Sequence, residues 1–159
     1  MKTMILPLLL LGVLTATQAH AASSGTLALQ GTVSLVNTIA VNQVSPYNAL
    51  DIVNGQSNTT VANVDETSND LLGYHITMAS LNAGQLQNAS DTSKKTLYTI
   101  SYDGAAAVAP TLVAQSVKNV ASLAGLTTNN SLVKINVTAY ATAPAGVYSD
   151  TITFAILAN

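Results

Sequence analysis

Residues 25–35 read GTLALQGTVSL, and this stretch carries the clearest strand pattern of the chain. Apolar residues alternate with polar or small ones, which is the period-two pattern of a β-strand with one buried face. One side of the predicted strand carries Leu27, Leu29, Gly31, Val33 and Leu35. This pattern favours an all-β fold.

Further segments repeat the alternation, and clusters of Asn, Asp, Gly and Pro separate them. The predicted strands are Thr38–Val44, Thr60–Val64, Gly73–Ala79, Leu97–Tyr102, Leu132–Tyr140 and Val147–Leu157. The pattern of residues 111–124 is ambiguous and fits either a short strand or one helical turn. About seven short strands at this spacing predict a two-sheet antiparallel sandwich.

Composition narrows the class of protein. The chain has 159 residues, enough for one domain, with 48% hydrophobic and only 8% charged residues. The net charge is −2 and there is no Arg, so the chain lacks the clustered cations that nucleic-acid binding requires. It has no Cys, so neither a disulfide nor a thiolate metal site is expected.

Residues 1–21 predict a cleavable signal peptide. Lys2 supplies the positive charge, residues 4–13 the apolar run, and residues 19–21 (AHA) the small-x-small cleavage site. A membrane anchor is the alternative, but a bilayer span needs roughly 20 apolar residues. We therefore expect cleavage after Ala21 and a mature domain of residues 22–159 with no transmembrane segment.

The residues that could carry chemistry do not form a recognisable catalytic pattern. His75 is the one histidine of the predicted mature chain, and no nucleophile motif accompanies it. Asp65, Glu66 and Asp70 read as one acidic loop, whose oxygens could hold a hard cation but whose spacing fits no known calcium loop. A solvated acidic turn is the favoured interpretation. We expect no enzyme, no cofactor and no metal.

Two segments at the chain ends carry a family resemblance: residues 25–35 and residues 145–156, which read AGVYSDTITFAI. They resemble subunits of chaperone–usher fimbriae and of the related spore coat protein U group. Residues 73–78 (GYHITM) and 97–102 (LYTISY) are similar to the central strands of those families. Many of these subunits contain a disulfide, and this chain departs from them by having no Cys.

The resemblance implies an immunoglobulin-like sandwich that lacks its last strand and receives a donor strand from a neighbouring subunit. The implied donor strand is Leu27, Leu29, Gly31, Val33 and Leu35. The implied contacts with the groove or the chaperone are Tyr148, Ile152, Phe154 and Ile156. It further implies passage through the periplasm, a periplasmic chaperone, an outer-membrane usher, polymerisation with itself, and a surface fimbria that serves adhesion to a receptor.

Two alternatives stay open at this point. Residues 25–35 could be the first strand of a complete sandwich, in which case the protein is a secreted coat or adhesin-type binding module, like the spore coat U group. A small secreted enzyme is a third hypothesis, and no motif in the sequence supports it.

Overall fold

A computed structural model describes residues 23–159, and the predicted signal peptide lies outside the described residues. In this part of the chain there is no helix, and hence none that could cross a membrane. The strands are β1 (Asn37–Gln43), β2 (Gln56–Ser68), β3 (Tyr74–Ser80), β4 (Gln85–Asn88), β5 (Lys95–Tyr102), β6 (Gln115–Val120), β7 (Thr127–Val137), β8 (Tyr148–Ser149) and β9 (Ile152–Ala158).

These strands form two antiparallel sheets that pack as a β-sandwich. One sheet has the order β1-β2-β7-β5-β4-β8, and the other has the order β6-β3-β9. Alternate side chains of each sheet point inward, because successive residues of a strand face opposite sides. The core is made of the apolar inward positions, chiefly Val64, Tyr74, Ile76, Met78, Leu86, Tyr98, Ile100, Tyr102, Val133, Ile135 and Val137.

Part of the strand order is that of an immunoglobulin-type sandwich. β1-β2-β7-β5 follow the order A-B-E-D of that fold, and β3-β9 follow the order C-F. In the complete fold a strand G pairs with F. Among residues 23–159 no strand takes that position, so β9 is paired only with β3. The prediction of an all-β antiparallel sandwich is confirmed.

Residues 33–159 form one compact unit, and residues 23–32 belong to a separate one. Residues 25–35, for which the sequence leaves a first strand and a donor strand open, have no strand partner among residues 23–159. A strand is stable only when its backbone groups are paired, so the alternation alone does not produce one. In the described part of the chain, the alternating segment therefore has no strand to pair with.

Other boundaries shift for identifiable reasons. Residues 111–124 contain strand β6, which pairs with β3 across a bulge. β4 is short and polar and was not predicted. β2 runs to Ser68, because Asp65 and Glu66 continue the alternation of Ala62 and Val64. The prediction of one acidic loop is therefore wrong, because only Asp70 lies in the turn.

The predicted strand Val147–Leu157 is divided between the sheets. β8 pairs with β4 in the larger sheet, whereas β9 pairs with β3 in the smaller one. Asp150 lies at the crossing and accepts hydrogen bonds from Ser80 Oγ (2.6 Å), Tyr98 Oη (2.6 Å) and the Asn82 backbone N–H (3.0 Å). The prediction of one continuous strand over Val147–Leu157 is therefore wrong, because Tyr148 lies on β8 and Ile152, Phe154 and Ile156 lie on β9.

A buried polar network ties the two sheets together in this chain without disulfides. Glu66 on β2 is fully buried and accepts hydrogen bonds from Tyr74 Oη (2.6 Å) on β3, from Tyr102 Oη, and from Ser131 Oγ (2.7 Å). Lys118 Nζ on β6 lies 3.0 Å from Glu66 and 2.8 Å from Asp103. The network joins residues of both sheets around one carboxylate.

Candidate functional site

The sandwich has four edge strands, and they are protected to very different degrees. β8 has only two residues, and β6 carries Lys118, whose charge points inward. Short edges and inward charges are known means of preventing edge-to-edge association. β1 (NTIAVNQ) and β9 (ITFAILA) each have seven residues with no charge and no Pro. These two edges therefore have no such protection.

β1 and β9 lie on the same side of the sandwich. Cα atoms of the two strands approach within 8 Å, yet no hydrogen-bonded ladder joins them. Alternate backbone groups of β9 point away from β3, and those of β1 point away from β2, because each is paired on one side only. The sandwich is consequently open along the line between these two strands.

Burial along β9 shows the effect of that opening. On β3, in the middle of the smaller sheet, the inward side chains Tyr74, Ile76 and Met78 are all 0% exposed. The inward side chains of the neighbouring β9 pack against the core but remain only partly buried; they are Ile152, Phe154 and Ile156. On β1, Val41 is 46% exposed. The apolar interior is thus covered incompletely along this line.

A cavity of about 170 Å³ reaches inward from the opening. Its walls include Val41 and Gln43 of β1 and Ile152 and Phe154 of β9. Its floor is made of buried residues of the larger sheet, namely Ala62, Tyr98, Ile100, Val133 and Ile135. The arrangement suits apolar side chains that enter from the open edge.

A second cavity of about 520 Å³ continues the first at the end of the sandwich where β1 ends and β9 begins. The two share lining residues, including Tyr47, Leu50 and Asp150. Burial, together with the hydrogen bond to Asp150, raises the pKa of Tyr98 well above its usual range. Tyr98 therefore stays protonated and holds Asp150 where the two cavities meet.

The residues implied for the groove are distributed between the two cavities. Ile152 and Phe154 line the first cavity, and Ile156 lies two positions further along the same face of β9. Tyr148 lines the second cavity, and its hydroxyl donates to the Pro144 carbonyl (3.0 Å). Sequence reasoning missed Val41, Tyr47 and Leu50, because their position beside β9 depends on how the chain folds.

The apolar residues of the implied donor strand are exposed. The exposed fractions are 83% for Leu27, 86% for Leu29, 87% for Val33 and 61% for Leu35. A Cβ atom added at Gly31 would meet no atom within 4 Å. The segment thus presents an alternating apolar face that is exposed among residues 23–159.

The other candidate residues do not converge on a site. His75 lies on β3, and its Nδ1 is 3.1 Å from Asn159 Oδ1. Asp65 and Glu66 face opposite sides of β2, and Asp70 caps the following turn by accepting from the Leu72 N–H (2.9 Å). Throughout the described range, 23–159, no group of three or more His, Cys, Asp or Glu residues is placed to hold a metal ion.

Comparisons with known proteins leave the family undecided. No family model matches this chain, and no curated protein sequence matches it. The resemblance to fimbrial subunits therefore stays a prediction from the residues.

Proposed function

We propose that this protein is a structural subunit that polymerises with copies of itself by strand addition. Residues 25–35 of one copy pair with the open edges of the next and fill its cavity with alternate side chains. The resemblance extends the proposal to export, a periplasmic chaperone, an outer-membrane usher, and a surface fimbria that serves adhesion. A secreted binding module with a complete sandwich is the competing function.

One observation carries the proposal: two unprotected edges of uncharged residues lie side by side over a cavity that reaches the core. An extended segment that adds to such an edge gains backbone hydrogen bonds, while alternate side chains provide specificity. Residues 25–35 have the required period of two and expose Leu27, Leu29 and Val33. The same chain thus supplies both halves of the contact.

Topology favours a second copy over the chain's own extension. A strand in the vacant G position of an antiparallel sheet runs opposite to β9, so its last residue lies where β9 begins. The chain's own Val36 is fixed at the other end, because the Asn69 side chain accepts from its N–H (2.7 Å) beside the pair Asn37 and Ser68. The chain's own extension could enter only parallel to β9.

Insertion requires an opening movement. A strand paired with both edges needs about 10 Å between them, since paired strands lie about 4.8 Å apart. Several Cα pairs between β1 and β9 are no more than 8 Å apart. We therefore expect these edges to separate by at least about 2 Å where they are closest as the donor strand enters. Such a movement is a step at which a chaperone could act.

The proposal is tested with a denaturing gel, with and without boiling, of protein sheared from cells that make the full chain. Strand-exchanged polymers resist detergent because dissociation must unfold part of each subunit. We expect a ladder that collapses to one band on boiling. A single monomer band in both lanes would contradict the proposal and favour the complete-sandwich module.

A matched deletion identifies the segment responsible. Removing residues 25–33 spares the predicted cleavage site and nearly all of the compact unit that begins at Val33. We expect this variant to give no ladder, since it has the opening but no donor strand. A ladder from the deletion variant would show that another contact holds the polymer together.

Gly31→Leu should prevent assembly without affecting the fold of the subunit. Gly31 lies in the same alternation as Leu29 and Val33, and its position implies a shallow part of the groove. In the free chain a Cβ at this position meets nothing within 4 Å, so the subunit itself tolerates the change. We expect at least about tenfold less ladder, corresponding to a loss of about 1.4 kcal/mol per joint.

The control for this variant is Thr32→Leu, which adds similar bulk to the opposite face of the segment. That face is predicted to point away from the groove, so we expect a normal ladder. Equal ladders from both variants would refute the pocket assigned to Gly31, and equal losses would refute the assigned face.

A further inference from the structure

The chain leaves the domain through a fixed clamp made by Asn69. Its Oδ1 accepts from the Val36 N–H (2.7 Å), and its Nδ2 donates to the Ser34 carbonyl (2.8 Å). The Asn69 backbone N–H also donates to the Val36 carbonyl (3.1 Å). Asn69 directly follows Ser68, the last residue of β2, so residues 34–36 are held against the body of the domain.

Exposed leucines surround this clamp. They are 61% exposed at Leu35, 67% at Leu71, and 68% at both Leu72 and Leu126. The turn that bears Leu71 and Leu72 is ordered by the bond from the Leu72 N–H to Asp70, and Asn159 Nδ2 donates to the Leu72 carbonyl (3.0 Å). An ordered turn therefore holds an apolar surface, here called the leucine end, in a fixed place.

The opposite end of the sandwich also carries exposed apolar side chains. Tyr47 is 43% exposed, Leu81 70% and Val147 71%, and both Tyr47 and Val147 line the 520 Å³ cavity. This cavity continues the 170 Å³ cavity beside β9, with which it shares lining residues. The end that contains Tyr47 and Val147 is here called the cavity end.

We propose that the leucine end of one copy packs on the cavity end of the next and forms a stiff joint. The inference rests on the proposed function, in which the donor strand ends where β9 begins, at the cavity end. The clamp holds Ser34 to Val36 against their own domain, so of the proposed donor segment 25–35 the residues up to Val33 enter the partner, and Leu35 stays at the joint without slack. Insertion therefore brings Leu35, Leu71 and Leu72 against the cavity end of the partner copy.

The joint is tested with introduced cysteine pairs, since the natural chain has no Cys and gives no background. The variant L72C/V147C places one thiol at each end. In polymers that are oxidised mildly, we expect at least about tenfold more boiling-resistant, reductant-sensitive multimers than in the control, because insertion holds the thiols at high effective concentration. The control L132C/V147C keeps the second thiol and moves the first to the outer face of β7.

A second pair, L71C/Y47C, also places one thiol at each end. It tests the same joint with a different distance and orientation between the two thiols. A normal ladder before boiling with no covalent multimers in either pair would overturn the joint and leave strand addition standing. No ladder in the unsubstituted chain would refute strand addition itself, and the joint with it. Covalent multimers equally abundant in the L132C control would show random collision and would also overturn the joint.

Discussion

Gly73→Ala should nearly abolish the folded domain. Gly73 has a φ of +79°, a conformation that L side chains rarely adopt, and it directly precedes β3. A Cβ there would lie 1.8 Å from the Val120 carbonyl oxygen and 2.8 Å from the Ser122 backbone nitrogen. Because the obstacle is the backbone that pairs β6 with β3, we expect a loss of more than about 4 kcal/mol.

Gly104→Ala is the matched control, because Gly104 has nearly the same φ (+77°) but open space around its Cβ position. It should cost only the strain of that conformation, about 1–2 kcal/mol. Denaturant unfolding followed by circular dichroism compares the two variants. Equal losses would show that β6 moves aside readily and that the contact at Gly73 is not decisive.

Glu66→Gln should produce the second large loss. Removing one partner of a buried ion pair leaves the other uncompensated, which typically costs about 3–5 kcal/mol. In this variant Lys118, whose side chain is only 15% exposed, would keep the Ser131 hydroxyl and one carboxylate partner, Asp103. The amide would also have to accept hydroxyl protons that the carboxylate of Glu66 now receives from Tyr74 and Tyr102. We expect a loss of about 3 kcal/mol at neutral pH.

The loss of stability caused by Glu66→Gln should depend on pH, because it depends on the ionised carboxylate of Glu66. Burial alone would raise the pKa of Glu66, but the hydrogen bonds from Tyr102, Tyr74, Ser131 and Lys118 together lower it below the ordinary 4.5. The folded state thus favours the ionised form, and its stabilisation is complete above pH 4.5. It is lost as the pH falls through the lowered pKa, so the difference between wild type and E66Q should shrink there.

Asp65→Asn provides the matched control for this second variant. Asp65 precedes Glu66 on β2 but faces outward, where it accepts from Asn42 (2.9 Å) and Asn130 (2.7 Å). We expect an effect within about 0.5 kcal/mol, as for most surface substitutions. A comparable loss in both variants would contradict the buried network as the cause.

The strands that alternate clearly were predictable from the sequence, because burial on one face leaves a direct trace there. β3 and β5 lie within two residues of their predicted bounds, since Tyr74, Ile76 and Met78, and Tyr98, Ile100 and Tyr102, fill the core. The phase of β2 could have revealed Glu66 as buried, because it follows Ala62 and Val64 in the alternation. Its partner Lys118 lies on a distant strand, which periodicity does not identify.

Features that depend on pairing were not predictable. The crossing of the chain between β8 and β9 depends on Asp150, whose partners Ser80 and Tyr98 come from other strands. For the same reason the opening between β1 and β9 leaves no trace in either strand alone. Residues 25–35 show the converse, because their alternation is strong although residues 23–159 give them no strand partner.

The open edge makes the stability of this domain a matter of mass action. A strand that binds the folded domain, and not the unfolded chain, stabilises it by RT ln(1 + [L]/Kd), which is about 2.7 kcal/mol at a hundredfold excess over Kd. Where β1 and β9 stay unpaired, the unfolding free energy lacks this contribution. When a strand does bind the open edge, the midpoint of unfolding has no single value, because it rises with the concentration of that strand.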